Sequence, residues 1–455
     1  MIQRLRSSFR DTDGFVFEHK GRILRQVNRT YEATYAQLKS SGFYARLHQQ
    51  GWLIPHRELP SGSEGLEGLV LEPDQLQVIT YPFEWSFGQL RDAALLTLKI
   101  QKEALAAGFS LKDASAYNIQ YHEGRPVLID TLSFEPYIEG QSWPGYRQFC
   151  QHFLAPLALM AYGDPRLGLL LRNHLDGIPL DLAGKLLPTR TWFRPGLLFH
   201  LHLHARAQSR YVNQDRKVAA RPVGRHGLLG ILDSLDAAVR SLHWTPAGTE
   251  LAAYYEHTNY EQEAGLDKTN VVKTWIERCR PGLVWDLGAN DGTFSRLAAD
   301  SGAQTVAWDI DPAAVEKCYR HAVQNRVKNL HPALLDLTNP TPALGWNLGE
   351  RLSLFERRRP DLTLALALLH HLAIGNNVPL DLCADFFRRV TGTLIIEWVP
   401  KSDSKVAALL RNRADIFDDY TEESFQRSFG RHYRIADRRP VTKSDRVLYL
   451  LEAAP

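Results

Sequence analysis

A chain of 455 residues is longer than one hydrophobic core usually organises, so two or more domains are expected, and 44% hydrophobic with 23% charged residues gives each enough apolar material for a core. The formal charge of +3 is too small over this length to call for wholesale nucleic-acid binding, and the opening MIQRLRSSFRDTDGF, with no run of about 18 apolar residues anywhere, argues against an export signal or a membrane span. Cys150, Cys279, Cys318 and Cys383 form no CxxC pair, so no thiolate metal spacing is present and a reduced, cytoplasmic compartment fits best.

In chain order, GFVFEHKGRILRQV (14–27) predicts two short strands around a Lys20-Gly21 turn. A helix follows, with Tyr31, Tyr35, Leu38, Tyr44 and Leu47 at helical intervals and a weak point at Ser40-Ser41-Gly42. LVLEPDQLQVITYPF predicts a second hairpin turning at Pro73-Asp74. Ser86 is positioned to cap a long helix from Phe87 to about Ala107, ending at Gly108. Then come the loop DASAYN, the strand NIQY, the turn HEGRP and the strand VLID. Residues 141–210 read as mostly helical, interrupted at Gly163-Asp164-Pro165 and Pro179. His200, His202 and His204 alternate as on a strand face; lacking Cys or carboxylate companions, they fit a solvated or core-facing run better than a metal site. The polar, basic stretch 205–225 is expected to be a solvated linker, and a helix through Leu228, Leu232, Leu235 and Val239 to open a second domain.

LKDASAYNIQYHEGRPVLID resembles the catalytic and metal-binding loops of kinase-like phosphotransferases. The resemblance implies that Asp113 orients an acceptor hydroxyl while Asn118 and Asp130 hold Mg²⁺ beside ATP. Where such a fold carries its phosphate-binding Lys, this chain offers Arg25, set against Glu32. No GxGxxG loop precedes it, Leu111 and Lys112 replace the usual His-Arg, and Thr-Leu follows Asp130. The expectation is therefore a kinase-like α+β scaffold without assured phosphotransfer, set against the blander reading of a polar loop with no ligand and no metal.

From Leu283, LVWDLGANDGTFSRLAADSG runs from a short apolar strand through a glycine-interrupted turn into a helix. Gly288, Asn290 and Gly292 leave room for backbone N–H groups to approach a ligand. Asp286, at the strand's end, could meet an ammonium group, and Asp309, closing the strand TVAWD about 20 residues after Gly288, suits ribose hydroxyls. Asp311 reads as the N-cap of the helix PAAVEKCYRHA. HPALLDL, DLTLALALLHHLAI and GTLIIEWVP supply three further strands, and strands alternating with helices argue for a parallel sheet with its ligand at the C-terminal edge.

This series resembles the class I, S-adenosylmethionine (AdoMet)-dependent methyltransferases over roughly the last 200 residues. The resemblance implies that Asp336 faces the adenine amino group. It also puts His370 and His371 over the methyl group, one of them a candidate general base, with Glu397 a further candidate. Tyr254, Tyr255, His257 and Tyr260 could cover the cofactor or merely pack as an aromatic helix. No [DN]-P-P-[YFW] pattern follows strand four, which argues against adenine or glutamine amide as targets. EWVPKSDSKVAALLRNRADIFDDYTEESFQRSF, with ALALLHHLAIGNNVPL and the earlier LKDASAYNIQ, resembles class I methyltransferases of the nodulation-protein NoeA type over most of the chain.

The expected architecture is a kinase-like α+β domain (1–210), a linker and leading helix (211–250) and an α/β Rossmann-like methyltransferase domain (251–455). The expected activity is methyl transfer from AdoMet to an oxygen or nitrogen of a small-molecule or glycan-type acceptor. A bifunctional kinase and methyltransferase, or a pseudokinase recruiting a protein acceptor, are the alternatives.

Overall fold

The structure is a computed structural model that describes residues 3–62, 65–204, 222–246, 262–411 and 414–454. The chain divides into two units, Met1–Thr245 with Ala343–Arg351, and Pro246–Pro342 with Leu352–Pro455.

In the first unit, strands β1 (Gln3–Arg4), β2 (Gly14–His19), β3 (Arg22–Val27), β4 (His56–Leu59) and β5 (Leu69–Pro73) form an antiparallel sheet ordered β1-β2-β3-β5-β4. The β2–β3 turn puts Lys20 and Gly21 at positive φ, as a tight hairpin requires. The break at Ser40-Ser41-Gly42 separates helices α1 (Arg29–Ser40) and α2 (Phe43–Gln50). The hairpin expected at Pro73-Asp74 does not form: β5 pairs with β3 and with β4. β4 reads HREL, a charged sheet-edge strand without apolar alternation, and so gave no periodic signal.

Helix α3 (Phe87–Ala106) starts at a capping box in which Ser86 N–H donates to Gln89 Oε1 at 2.9 Å and Gln89 N–H to Ser86 Oγ at 3.4 Å. Beyond it, β6 (Phe109–Leu111) pairs with β9 (Phe134–Pro136), and β7 (Ile119–His122) pairs with β8 (Arg125–Leu128). The helix Arg225–Ser241 buries Leu228, Leu232, Leu235 and Val239, and its Asp233 bonds Lys102 of α3 at 2.7 Å. It therefore completes the first unit instead of opening the second. The histidine run lies in a helical segment, Leu198–Leu203, and not on a strand. His200 bridges the Tyr146 and Ser234 hydroxyls at 2.8 and 2.9 Å, and His202 meets the Thr191 hydroxyl at 2.9 Å. Most of the expected linker, and Tyr254, Tyr255, His257 and Tyr260, lie outside the described residues.

The second unit is built on a seven-stranded sheet ordered β12-β11-β10-β13-β14-β16-β15. Its strands are β10 (Leu283–Leu287), β11 (Gln304–Asp309), β12 (Leu330–Leu334), β13 (Leu362–Ala365), β14 (Thr393–Trp398), β15 (Tyr433–Pro440) and β16 (Val447–Ala453). β10 to β14 are mutually parallel, and β16 runs antiparallel between β14 and β15. β10 is buried at all five positions, as expected of a strand covered on both faces. Helices Gln262–Cys279 and Thr293–Asp300 pack their apolar sides on the sheet, joining Val272, Trp275, Ile276 and Phe294 to Val284, Leu364, Ile395 and Leu450 in one core. Among the described residues, no helix is long and apolar enough to cross a membrane.

Candidate active site

Strand order reverses at β10, whose neighbours β11 and β13 lead to opposite sheet edges; a crevice opens beyond the strand ends at such a point. The turn after β10 is shaped by its backbone. Gly288 has φ 74°, and a Cβ there would lie 3.1 Å from Leu368 Cδ1. The N–H groups of Gly288 and Ala289 both donate to Trp308 O at 2.9 Å, fixing the turn to β11. Gly292, at φ 83°, precedes the helix Thr293–Asp300, and a Cβ there would lie 2.4 Å from Cys318 Sγ, so it permits close packing against the helix Pro312–Gln324.

A cavity of about 260 Å³ opens here, lined by Gly288, Asn290, Asp309, Asp336 and His371 with the apolar Ile310, Leu337, Leu366 and Leu372 among its walls. Two lining residues, Asn290 (φ 52°) and Ala367 (φ 50°), hold left-handed backbone that costs energy without glycine. Asp309 accepts from Asn290 N–H at 2.7 Å and Asp311 N–H at 2.9 Å, and burial pushes its carboxyl up to about 6. Asp336 accepts from the N–H and hydroxyl of Thr338 at 2.8 and 2.6 Å, which orients its carboxylate. Asp311 caps its helix by accepting from Ala313 N–H at 2.8 Å.

Asp286 and Gly292 are not among the lining residues. Asp286 is buried, accepts from Ser295 Oγ at 2.6 Å, and burial pushes its carboxyl up to about 7. The two histidines also separate. Their rings lie 4.2 Å apart, but only His371 lines the cavity. His370 is fully buried with neither ring nitrogen hydrogen-bonded. Burial, then the neighbouring His371, Arg446 and Lys268, hold its pKa well below the ordinary value; burial, then Arg446 and Lys405, lower that of His371.

Glu397 is fully buried and already engaged: Lys268 Nζ lies 2.6 Å from one oxygen and Arg446 Nη1 3.6 Å from the other, while Arg446 Nε bonds Asp403 at 2.7 Å. This occupation withdraws Glu397 from proton transfer. Lys268 and Arg446 carry no local sequence signal, since each looks like an ordinary surface charge until the fold buries it.

The first unit gathers a second polar cluster. Arg25 bonds one oxygen of Asp130, and the Ser133 hydroxyl donates to the other. The expected partner Glu32 is thus replaced by Asp130. Burial works to raise the Asp130 carboxyl, but Arg25 and Ser133 outweigh it and the pKa is lowered. Asn118 reaches the Ser133 hydroxyl at 3.5 Å, and Asp113, its pKa raised by burial and by the Asp130 charge, accepts from Ser115 N–H at 3.0 Å. Among the described residues, no group of three or more His, Cys, Asp or Glu is placed to hold a metal ion.

Sheet order, glycine turn and cavity together define the second unit as a Rossmann-like domain of the methyltransferase type. The whole chain is 36% identical over 460 aligned residues to the nodulation protein NoeA of Rhizobium meliloti (strain 1021), covering 99% of this chain and 96% of that one, and it belongs to the NoeA family. No protein-family model matches it. Solved structures similar to part of the chain include WbdD, described as a bifunctional kinase-methyltransferase, in a high-resolution form at 18% identity and TM-score 0.30 over 46% of this chain and 43% of that one. Another is the N-methyltransferase NodS from Bradyrhizobium japonicum WM9, at 12% identity and TM-score 0.32 over 43% of this chain and 99% of that one.

Proposed function

We propose that the second unit is an AdoMet-dependent methyltransferase acting on an oxygen or nitrogen of a small-molecule or glycan-type acceptor. The observation that carries the reading is Asp309: a carboxylate at the end of the strand beside β10, oriented by two backbone N–H groups, on the wall of a cavity also lined by Gly288, whose positive φ disfavours any side chain there. That arrangement suits ribose hydroxyls, the apolar Ile310 and Leu337 suit an adenine face, and Asp336 suits its amino group. When bound, AdoMet supplies an electrophilic methyl group on sulfonium.

The chain's own residues hold the donor and manage the proton. His371, on the cavity wall and neutral at physiological pH, has a lone pair available to take the proton that an acceptor hydroxyl or amine releases as its oxygen or nitrogen bonds carbon. Glu397, held by Lys268 and Arg446, positions the β14 end and takes no proton.

Calorimetric titration with AdoMet tests the donor site. The wild type is expected to bind, and Asp309→Ala to lose about 1–3 kcal/mol, the usual cost of unpairing a polar group. Unchanged affinity in that variant would remove the site. Incubating cell extract with the enzyme and label-bearing AdoMet, then identifying the labelled product, tests the acceptor class.

For the first unit we propose a kinase-like scaffold. Support comes from the order of its parts: a strand carrying Arg25, helix α1, the long helix α3, a loop bearing Asp113 and Asn118, a hairpin, then Asp130. The engagement of Asp130 by Arg25 favours a pseudokinase, with a protein acceptor recruited through this unit as the second reading.

A further inference from the structure

The connection from β12 to β13 is anomalous. A parallel crossover usually packs an α-helix on the sheet, yet 335–361 contains only two single-turn helices, Trp346–Leu348 and Leu354–Glu356. Its middle, Ala343–Arg351, belongs to the first unit. There it folds into a hairpin closed by hydrogen bonds between Leu344 and Arg351, 3.0 and 3.1 Å long. Asn347 and Leu348 both take left-handed backbone, a conformation that a leucine holds only when its surroundings impose it.

Three contacts fix this hairpin. The Glu350 carboxylate, 3% exposed, accepts from Arg10 Nη2 at 2.9 Å and from Trp346 N–H at 2.9 Å. Gly349 lies against the Arg6 side chain, where a Cβ would be 3.0 Å from its Cδ. The Arg351 guanidinium sits 4.2 Å over the ring of Tyr117, the residue before Asn118. Arg6 and Arg10 belong to the β1–β2 loop, where a kinase fold would carry its glycine-rich phosphate loop, so the hairpin touches both that loop and the Asp113–Asn118 loop. At its other end the same connection is cavity wall: Leu335, Asp336, Leu337 and Thr338 line the pocket, and only residues 339–342 separate them from the hairpin.

We infer that Ala343–Arg351 is a regulatory strap: its docking on the kinase-like unit, through Arg10–Glu350 and Arg351–Tyr117, holds the Leu335–Thr338 wall in its binding form and so sets the affinity of the pocket for the methyl donor. The inference rests on the AdoMet reading above. Coupling of this kind is reciprocal, so AdoMet in turn tightens the strap.

The test uses the full chain with AdoMet itself. Arg10→Ala and Glu350→Gln remove the clamp without touching the cavity, and Arg351 is a trypsin site whose cleavage, followed by mass spectrometry, reports undocking. Expected are a rise of about five- to tenfold in AdoMet Kd for each variant, faster cleavage after Arg351, and slower cleavage in the wild type when AdoMet is saturating. Wild-type AdoMet affinity in both variants, at either cleavage rate, would overturn the strap. A wild type that fails to bind AdoMet would instead sink the cofactor reading and the strap's role with it.

Discussion

His370 and His371 are adjacent in the chain and opposite in circumstance. His371 has cavity on one side, while His370 is closed into protein with two ring nitrogens unbonded, a standing cost for a buried polar group. His371→Ala is therefore expected to lower turnover by about a hundredfold with AdoMet binding intact. His370→Leu is expected to keep turnover and to unfold no more easily, because the apolar side chain removes that cost. The pH profile carries the sign: a base must be unprotonated, and with the His371 pKa lowered by burial, activity is expected to decline at a more acidic pH than an ordinary histidine would give. Steady-state kinetics across pH check this; a profile unchanged in His371→Ala would remove its role. The sequence displayed both histidines but could not rank them, since which one meets the cavity depends on a turn at Leu366–Leu368 that is not periodic.

Among the elements, the loop between β6 and β7, with the segment that follows β8, shows how a familiar pattern is altered by one contact. Asp113, Asn118 and Asp130 do converge, but Arg25 reaches across from β3 to neutralise Asp130, and side chains 15% and 16% exposed leave water little part in the pair. A cation already seated on the carboxylate competes with Mg²⁺ for it. ATP with Mg²⁺ is accordingly expected to leave the thermal unfolding of the wild type unchanged, where a nucleotide that bound the native state would raise it. ATP-dependent phosphorylation of any acceptor, abolished by Asp113→Ala, would overturn the pseudokinase reading and make the chain bifunctional.

For the whole molecule, acid acts differently on the two units. In the first, burial depresses His56 to about 4, His152 to about 3 and His200 to about 4. Each is neutral when folded and protonates near 6.5 when unfolded, so its stabilising share is complete above pH 6.5 and drains away as pH falls towards 4. In the second, Asp286 and Asp309 are raised to about 7 and 6, so their folded forms take up protons before the unfolded chain does, and acidification over the same window returns stability that offsets the loss at His370 and His371. Scanning calorimetry at pH 7 and pH 5, with the AdoMet-sensitive transition assigned to the second unit, is expected to show the first unit's transition falling further. Equal shifts would contradict this assignment of buried charge.

The polar wall of the cavity was legible because its parts are local: a strand, a glycine turn and a helix are contiguous from Leu283, Asp309 ends β11 and Asp336 lies just beyond β12, so periodicity and turn chemistry place them. The cap at Ser86 and the Lys20-Gly21 turn were readable for the same reason. What tertiary structure alone decided depends on distant partners. Lys268 meets Glu397 across 129 positions, and Arg10 meets Glu350 across 340. The charged strand His56–Leu59 exists because β5 offers it an edge, and the middle of the β12–β13 connection folds with the first unit. Local sequence specifies backbone conformation through short-range sterics and hydrogen bonds. Which charges are buried, which are already paired and which face a cavity is decided only when remote segments exclude water from one another.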